Sequence, residues 1–333
     1  MKLCVFGAGA IGSYFGGQLA LAGHDVSLVA RGEHLKALQA GELIISNTQG
    51  DSTSVKVHAV ATAAELSKQD VIFVCVKSNM ISAAAPDIAS LMHDDTTVIY
   101  CVNGMPWWYF YEHGGRWDGH RFDSIDPNGT IWNMLHPKHT LGCVVYSAAS
   151  LVEPAHVRYV VGEAGVPPVF LGEPTGGMSE RLQTVANLID AAGIPTKATE
   201  DIRHEVWHKL WGNIAMNPIS ALTHATMDEV VEQYDDIDLV ESIMNETRFI
   251  AEKLDVTFRE RPEQRIAHAA KLKGHKTSML QDMERGRPTE IEAIVGAVRE
   301  IGRITGADTP YLNTLYSLVK QKERFYPSYR KET

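Results

Sequence analysis

The chain has 333 residues, long enough for two ordinary domains that each carry a core. Hydrophobic residues make up 44% and charged residues 22%, an average globular balance. The net charge of −10 argues against a nucleic acid or an anionic membrane surface as partner, so an anionic ligand needs a local cluster of positive charge.

Residues 3–7, LCVFG, read as a buried strand, and 10–22 as a helix stopped by Gly23. A first strand that begins at Lys2 leaves no room for a signal peptide. Between strand and helix lies GAGAIG, the pattern G-x-G-x-x-G with Gly7, Gly9 and Gly12. The three glycines suit a tight turn, room for a pyrophosphate, and close packing of helix on strand. The backbone N–H groups at the helix start, around Ala10 and Ile11, would face the phosphates. The motif follows a strand and opens a helix, which is the context a dinucleotide site requires.

A second strand over 25–30 ends in Val29-Ala30-Arg31-Gly32. An NAD site normally carries an acid near there for the ribose hydroxyls, and the first acid is Glu33. Arg31 instead suits a 2′-phosphate, which a planar guanidinium grips with two bonds, so NADP(H) is the expected cofactor. A helix over 33–40 follows, then strands near 42–46, 54–60, 70–76 and 97–102, with a helix at 80–92 between the last two. This βαβ alternation predicts a mostly parallel, doubly wound sheet, a Rossmann-like α/β domain. Lys77 and Asn103 each follow a strand directly, at the carboxyl end where α/β ligands bind, and both are expected cofactor or substrate contacts. The run VIFVCV at 71–76 is among the longest apolar β-like runs and is far too short to span a bilayer.

The stretch 106–139 breaks the rhythm with Trp107, Trp108, Trp117 and Trp132 and reads as a long surface insertion. Strands are expected at 141–148, 157–163 and 168–172, a helix at 178–192 and a strand near 194–199. Cys4, Cys75, Cys101 and Cys143 show neither CxxC nor metal spacing, which suits reduced core cysteines in a cytoplasmic protein.

Strand signals fade after about residue 200, and helices are expected at 202–217, 238–254, 259–272, 288–306 and 311–324. The expected domains are therefore 1–200 and 201–333. In the first of these helices Lys209, Asn213 and Asn217 are spaced by four. Steps of four drift only about 40° around a helix, so the three line one stripe roughly 12 Å long. Trp207, Leu210, Trp211 and Ile214 around them predict burial, where polar groups need partners that a ligand could supply. Farther on, Ser278 opens SMLQD and Glu290 closes RPTE. From spacing alone, Ser278 reads as a helix cap and Glu290 as a carboxylate in a helix's first turn after Pro288. His204-Glu205-Val206-Trp207-His208 matches the H-E-x-x-H zinc pattern, with Glu229 downstream, but it stands behind a nucleotide-binding half and Pro218 is expected to interrupt the helix, so no metal is expected.

Together GAGAIG, Arg31, Lys77, the Asn103-Gly104 pair, K-x3-N-x3-N-P at 209–218, SMLQD and the later Thr289-Glu290 resemble the ketopantoate reductases (2-dehydropantoate 2-reductases), over nearly the whole chain. The resemblance implies a helical second domain of the 6-phosphogluconate-dehydrogenase-like type. It implies NADPH-dependent reduction of a 2-oxo acid, 2-dehydropantoate to pantoate in pantothenate synthesis. By that likeness Lys209 is the general acid, Glu290 a catalytic partner, and Asn213, Asn217, Ser278 and Asn103 hold the substrate. The insertion departs from the usual pattern, and its tryptophans could close over the substrate, make a homodimer contact or form a satellite core. Two other readings stay open: a related reductase of another 2-oxo acid or an imine, and a non-catalytic NADP(H)-binding sensor.

Overall fold

The apolar runs of the first half become strands and the amphipathic runs between them helices. The computed structural model describes residues 1–325, so 326–333 of the expected helical domain lie outside the described residues. Two compact units form: the first holds 1–102, 107–121 and 128–205, and the second holds 103–106, 122–127 and the chain from 206.

The first unit opens with β1 (Lys2–Phe6), α1 (Ala10–Leu21), β2 (Asp25–Val29), α2 (Gly32–Ala40), β3 (Leu43–Asn47), β4 (Ser52–Val55) and β5 (His58–Val60). It continues with β6 (Val71–Val74), α3 (Ile81–Ser90), β7 (Thr97–Tyr100), α4 (Thr130–Leu135) and β8 (Thr140–Val145). β9 (Ala149–Glu153), β10 (His156–Tyr159), β11 (Val169–Gly172), α5 (Glu180–Ala191) and β12 (Thr196–Ala198) complete it. The main sheet has eight strands in the order β12-β11-β8-β7-β6-β1-β2-β5. The six strands from β8 to β5 run parallel, and β11 turns antiparallel against β8. β6 and β7 are buried throughout, as strands covered on both faces must be. β1 has β2 on one side and β6 on the other, which makes its carboxyl end the topological switch point of the sheet.

The expected strand over 54–60 divides. β4 pairs antiparallel with β3, while β5 pairs parallel with β2. β3 and β4 leave the main sheet and join β9 and β10 in a four-stranded sheet, order β4-β3-β10-β9. The burial pattern explains the division: β4 is almost wholly exposed, whereas the last two residues of β5 are buried.

The two ends of the stretch 106–139 are buried rather than a surface loop, while residues 112–121 between them are exposed or half-buried. Trp107 and Trp108 are only 2% and 1% exposed, and Tyr109, Phe110, Ile131 and Leu135 are fully buried. Trp107 meets Tyr100 edge-on at 5.5 Å and Trp132 at 6.0 Å, and Trp132 meets Tyr111 at 6.0 Å. These rings form a satellite core. Each aromatic ring has some 150–250 Å² to remove from water, more than an exposed loop can shelter. Arg203 ties the segment down by donating to the Tyr109 and Tyr111 carbonyls at 2.9 and 2.8 Å.

The second unit is helical. α6 (Ile202–Thr223) enters it, and α7 (Tyr234–Glu252), α8 (Pro262–Ala269), α9 (Ser278–Glu284), α10 (Ala297–Thr305) and α11 (Pro310–Phe325) follow, with a π-helical stretch (Glu292–Gly296) before α10. Pro218 does not interrupt α6. Burial of Trp211, Ile214 and Ala215 holds the helix despite the missing N–H. Lys322 of α11 satisfies its last turn by donating to the Ala221 and Leu222 carbonyls at 2.7 and 2.9 Å. Among the described residues, no helix is long and apolar enough to cross a membrane.

Candidate active site

The glycine loop follows β1 at the switch point. Gly7 has φ +101°, a conformation L side chains rarely adopt, and a Cβ there would stand 2.6 Å from Val76 Cγ1. A Cβ on Gly12 would stand 2.2 Å from the Gly7 carbonyl oxygen and 3.0 Å from Val5 Cγ1, so helix and strand close only over a glycine. A Cβ on Gly9 would meet nothing within 4 Å, which leaves open space beside the loop. α1 has no side-chain cap, and its first internal bond is Ser13 N to Gly9 O at 2.8 Å. The N–H groups of Ala10, Ile11 and Gly12 therefore belong to the unsatisfied first turn, a donor set that fits a pyrophosphate.

Arg31 follows β2 next door, exposed, at the N-cap position of α2. Glu33, the nearest acid, accepts from Lys36 Nζ at 2.7 Å. Lys77 follows β6 on the other side of β1, half-buried, at the start of a short 3-10 turn. Arg31, the glycine loop and Lys77 thus sit at the carboxyl ends of three adjacent strands. His34, unmarked in the sequence, joins α2 to α1: its Nε2 lies 3.0 Å from Ser13 Oγ, and its Nδ1 accepts from Ala155 N at 3.1 Å. Burial holds this imidazole below its ordinary value. No local pattern marks it, because its partners lie 21 and 121 residues away.

In the second unit α6 carries Lys209 and Asn213, both half-buried, and Asn217, only 5% exposed. Trp207 and Trp211 flank them, fully buried, and Trp211 Nε1 donates to the Met244 carbonyl at 2.8 Å. Lys209 Nζ donates to Asn103 Oδ1 at 2.6 Å. This is a short, charge-assisted bond that directs the ammonium. It also gives Asn103 a role that the strand-end pattern did not suggest. Gly104 follows in the left-handed region at φ +92°.

Ser278 is the first residue of α9, half-buried. The cap is its neighbour Thr277, whose Oγ1 accepts from Leu280 N at 3.1 Å, so the Ser278 hydroxyl is not committed to capping. Glu290 is 5% exposed, and its carbonyl accepts from Ile294 N at 3.0 Å. The helix begins at Ile291 rather than near Pro288, and Thr289 is held outside it by donating N–H and Oγ1 to Glu323 at 2.9 and 2.7 Å. Lys209 and Asn103 are thus in direct contact, Asn213 and Asn217 share their helix with Lys209, and Ser278 and Glu290 come from other elements of the same unit. A further residue unmarked in the sequence is Glu300, 4% exposed, which accepts from Asp123 N, Ser124 N and Ser124 Oγ and so anchors 122–127. In the zinc-like pattern His208 Nε2 stands 3.6 Å from Glu260, while Glu229 accepts from Thr226 N and Oγ1. Among the described residues, no group of three or more His, Cys, Asp or Glu is placed to hold a metal ion.

Two family models match the chain: Ketopantoate reductase PanE/ApbA over residues 3–107, and Ketopantoate reductase PanE/ApbA C terminal over 201–323. The chain is 42% identical to the 2-dehydropantoate 2-reductase of Mesorhizobium japonicum, over 96% of its own length and 97% of that protein's. It is 30% identical to the 2-dehydropantoate 2-reductase of Archaeoglobus fulgidus, over 97% and 98%. Among solved structures, PanE/ApbA family ketopantoate reductase from Ralstonia eutropha JMP134 superposes with a TM-score of 0.81 at 26% identity, covering 97% of this chain and 99% of that one.

Proposed function

The chain belongs to the ketopantoate reductase family, and from that premise we propose that it reduces 2-dehydropantoate to pantoate with NADPH, in pantothenate synthesis. The observation that carries this reading is the Lys209–Asn103 bond of 2.6 Å, which holds a half-buried ammonium in one direction. When bound, NADPH supplies the hydride that C2 of the oxo acid receives. Lys209 stabilises the charge that develops on the carbonyl oxygen and donates the proton that completes the alcohol. Asn213 and Asn217 bind the substrate's carboxylate or hydroxyl without adding charge, and the Ser278 hydroxyl adds a further donor. Glu290 takes the substrate's hydroxyl or assists the lysine.

In the first unit the N–H groups at Ala10, Ile11 and Gly12 hold the pyrophosphate, with Gly7 and Gly9 shaping the loop. Arg31 binds the 2′-phosphate; the pairing of Glu33 with Lys36 supports an arginine, rather than an acid, as the residue that meets the ribose. Lys77 is a further cofactor contact, and Asn103 serves both cofactor and substrate. The reading extends to a cytoplasmic enzyme, with a homodimer as the assembly that light scattering would test.

The test is a panel of 2-oxo acids, 2-dehydropantoate included, followed by NADPH absorbance. Turnover should be fastest with 2-dehydropantoate. Strong activity only with another acid would reassign the substrate, and inactivity with all of them would favour a non-catalytic NADP(H)-binding protein.

A further inference from the structure

We propose that Ala293 is a positioning residue for the reduction: it fixes the Asn103–Gly104 turn and thereby the acceptor that directs the Lys209 ammonium. The inference rests on the reading of Lys209 as the proton donor. Three consecutive residues carry it. Asn103 Oδ1 accepts from Lys209 Nζ at 2.6 Å. Gly104 lies so close to the helix that a Cβ on it would stand 2.6 Å from Ala293 Cβ and 2.7 Å from the Ala293 carbonyl carbon and oxygen. Met105 N donates to the Ala293 carbonyl at 2.7 Å. The turn is thus held by a backbone bond on one side and by direct backbone contact on the other.

Ala293 sits in the π-helical stretch Glu292–Gly296, three residues after Glu290. Such stretches break the regular helical ladder and recur at functional sites. Here one of its carbonyls serves the turn instead of the helix alone. The stretch is itself braced: Glu292 accepts from Tyr316 Oη at 2.8 Å and pairs with Lys320 Nζ at 3.1 Å. Ala293 is 2% exposed and its Cβ lies against the Gly104 position, so a larger side chain there presses on the turn. A shift of about 1 Å in a positioned group is enough to cost on the order of 10²-fold in rate.

Ala293→Val and Gly104→Ala press on this contact from opposite sides. In the full-length protein each should lower kcat by about 10- to 100-fold, with KM for 2-dehydropantoate and the NADPH dissociation constant changed far less. Each should also move the alkaline limb of the pH profile of kcat to lower pH, since weakening a hydrogen bond that the ammonium donates lets it yield its proton more readily. A merely structural role would leave that limb in place. Ala293→Gly adds no volume and loosens the same contact, so it keeps the test open if the larger variants do not fold; it should move the limb in the same direction, by less. A wild-type kcat and limb in any folded variant of the three overturns the inference. Lys209→Ala, assayed in parallel, separates the two ideas. Full turnover there would sink the lysine reading itself. Lost turnover there, with wild-type behaviour in the Ala293 and Gly104 variants, would sink this inference alone.

Discussion

Replacing Lys209 by alanine isolates the proton-transfer step. The side chain is half-buried, and its ammonium donates a short bond to Asn103. A positioned general acid contributes about 10²- to 10⁴-fold. At about 1.36 kcal/mol per tenfold, the barrier should rise by about 2.7–5.4 kcal/mol. The fold should tolerate the change, because Asn103 is half-buried too and water can replace the lost donor. Cofactor binding should also survive, since the glycine loop, Arg31 and Lys77 all belong to the other unit. The assay is steady-state NADPH oxidation with 2-dehydropantoate, together with a fluorescence titration of NADPH. Added small primary amines should restore part of the lost rate. Turnover within about threefold of wild type, less than 1 kcal/mol of barrier, would refute the assignment of the lysine as proton donor. So would a parallel loss of NADPH binding, which would make the defect one of binding.

Arg31→Ala should raise KM for NADPH by about tenfold, the value of one charge-assisted contact of some 1.4 kcal/mol, and narrow its advantage over NADH. An unchanged ratio of kcat/KM for the two cofactors would contradict the 2′-phosphate role. Glu300→Ala removes the acceptor of three donors that anchor 122–127 and should destabilise the protein by about 3 kcal/mol, read from urea unfolding; an unshifted midpoint would show that the anchor contributes nothing. The native pKa of His34 lies below the ordinary 6.5, so the native state binds fewer protons than the unfolded chain. Its stabilisation is complete above 6.5 and is lost as the pH falls through the native pKa. His34→Gln, which keeps an acceptor for Ala155 N but does not titrate there, should flatten the fall of Tm in acid. The fall should not vanish, because burial depresses His139 and His224 in the same direction. An unaltered acid slope would count against His34 as a contributor.

Some of the site is written locally. Gly7 is required by its own φ of +101° and Gly12 by the Gly7 carbonyl and Val5 of the strand before it, so this part of the pattern announced its own geometry. The spacing of four that aligns Lys209, Asn213 and Asn217 is likewise a property of one helix. Other parts had no local sign. β3 pairs with β10, more than a hundred residues on, so its departure from the main sheet could not be read from its own residues. The insertion read as surface because Gly, Asp and His dilute its tryptophans. Burial followed from rings meeting across the gap, Trp107 with Trp132 and Trp132 with Tyr111. Thr277 rather than Ser278 caps α9, a distinction of one residue that only the backbone dihedrals decide.

By itself the sequence determined the alternation of strand and helix, the dinucleotide loop and the stripe on α6, because periodicity and steric demand act over a few residues. The tertiary structure decided the partners. It set Asn103 against Lys209 across 106 residues, and it placed Gly104 and Met105 on Ala293 of a π-helical stretch. A hydrogen bond needs its two atoms within about 3 Å, and which distant segment meets that condition depends on how the chain closes, not on the residues beside either atom.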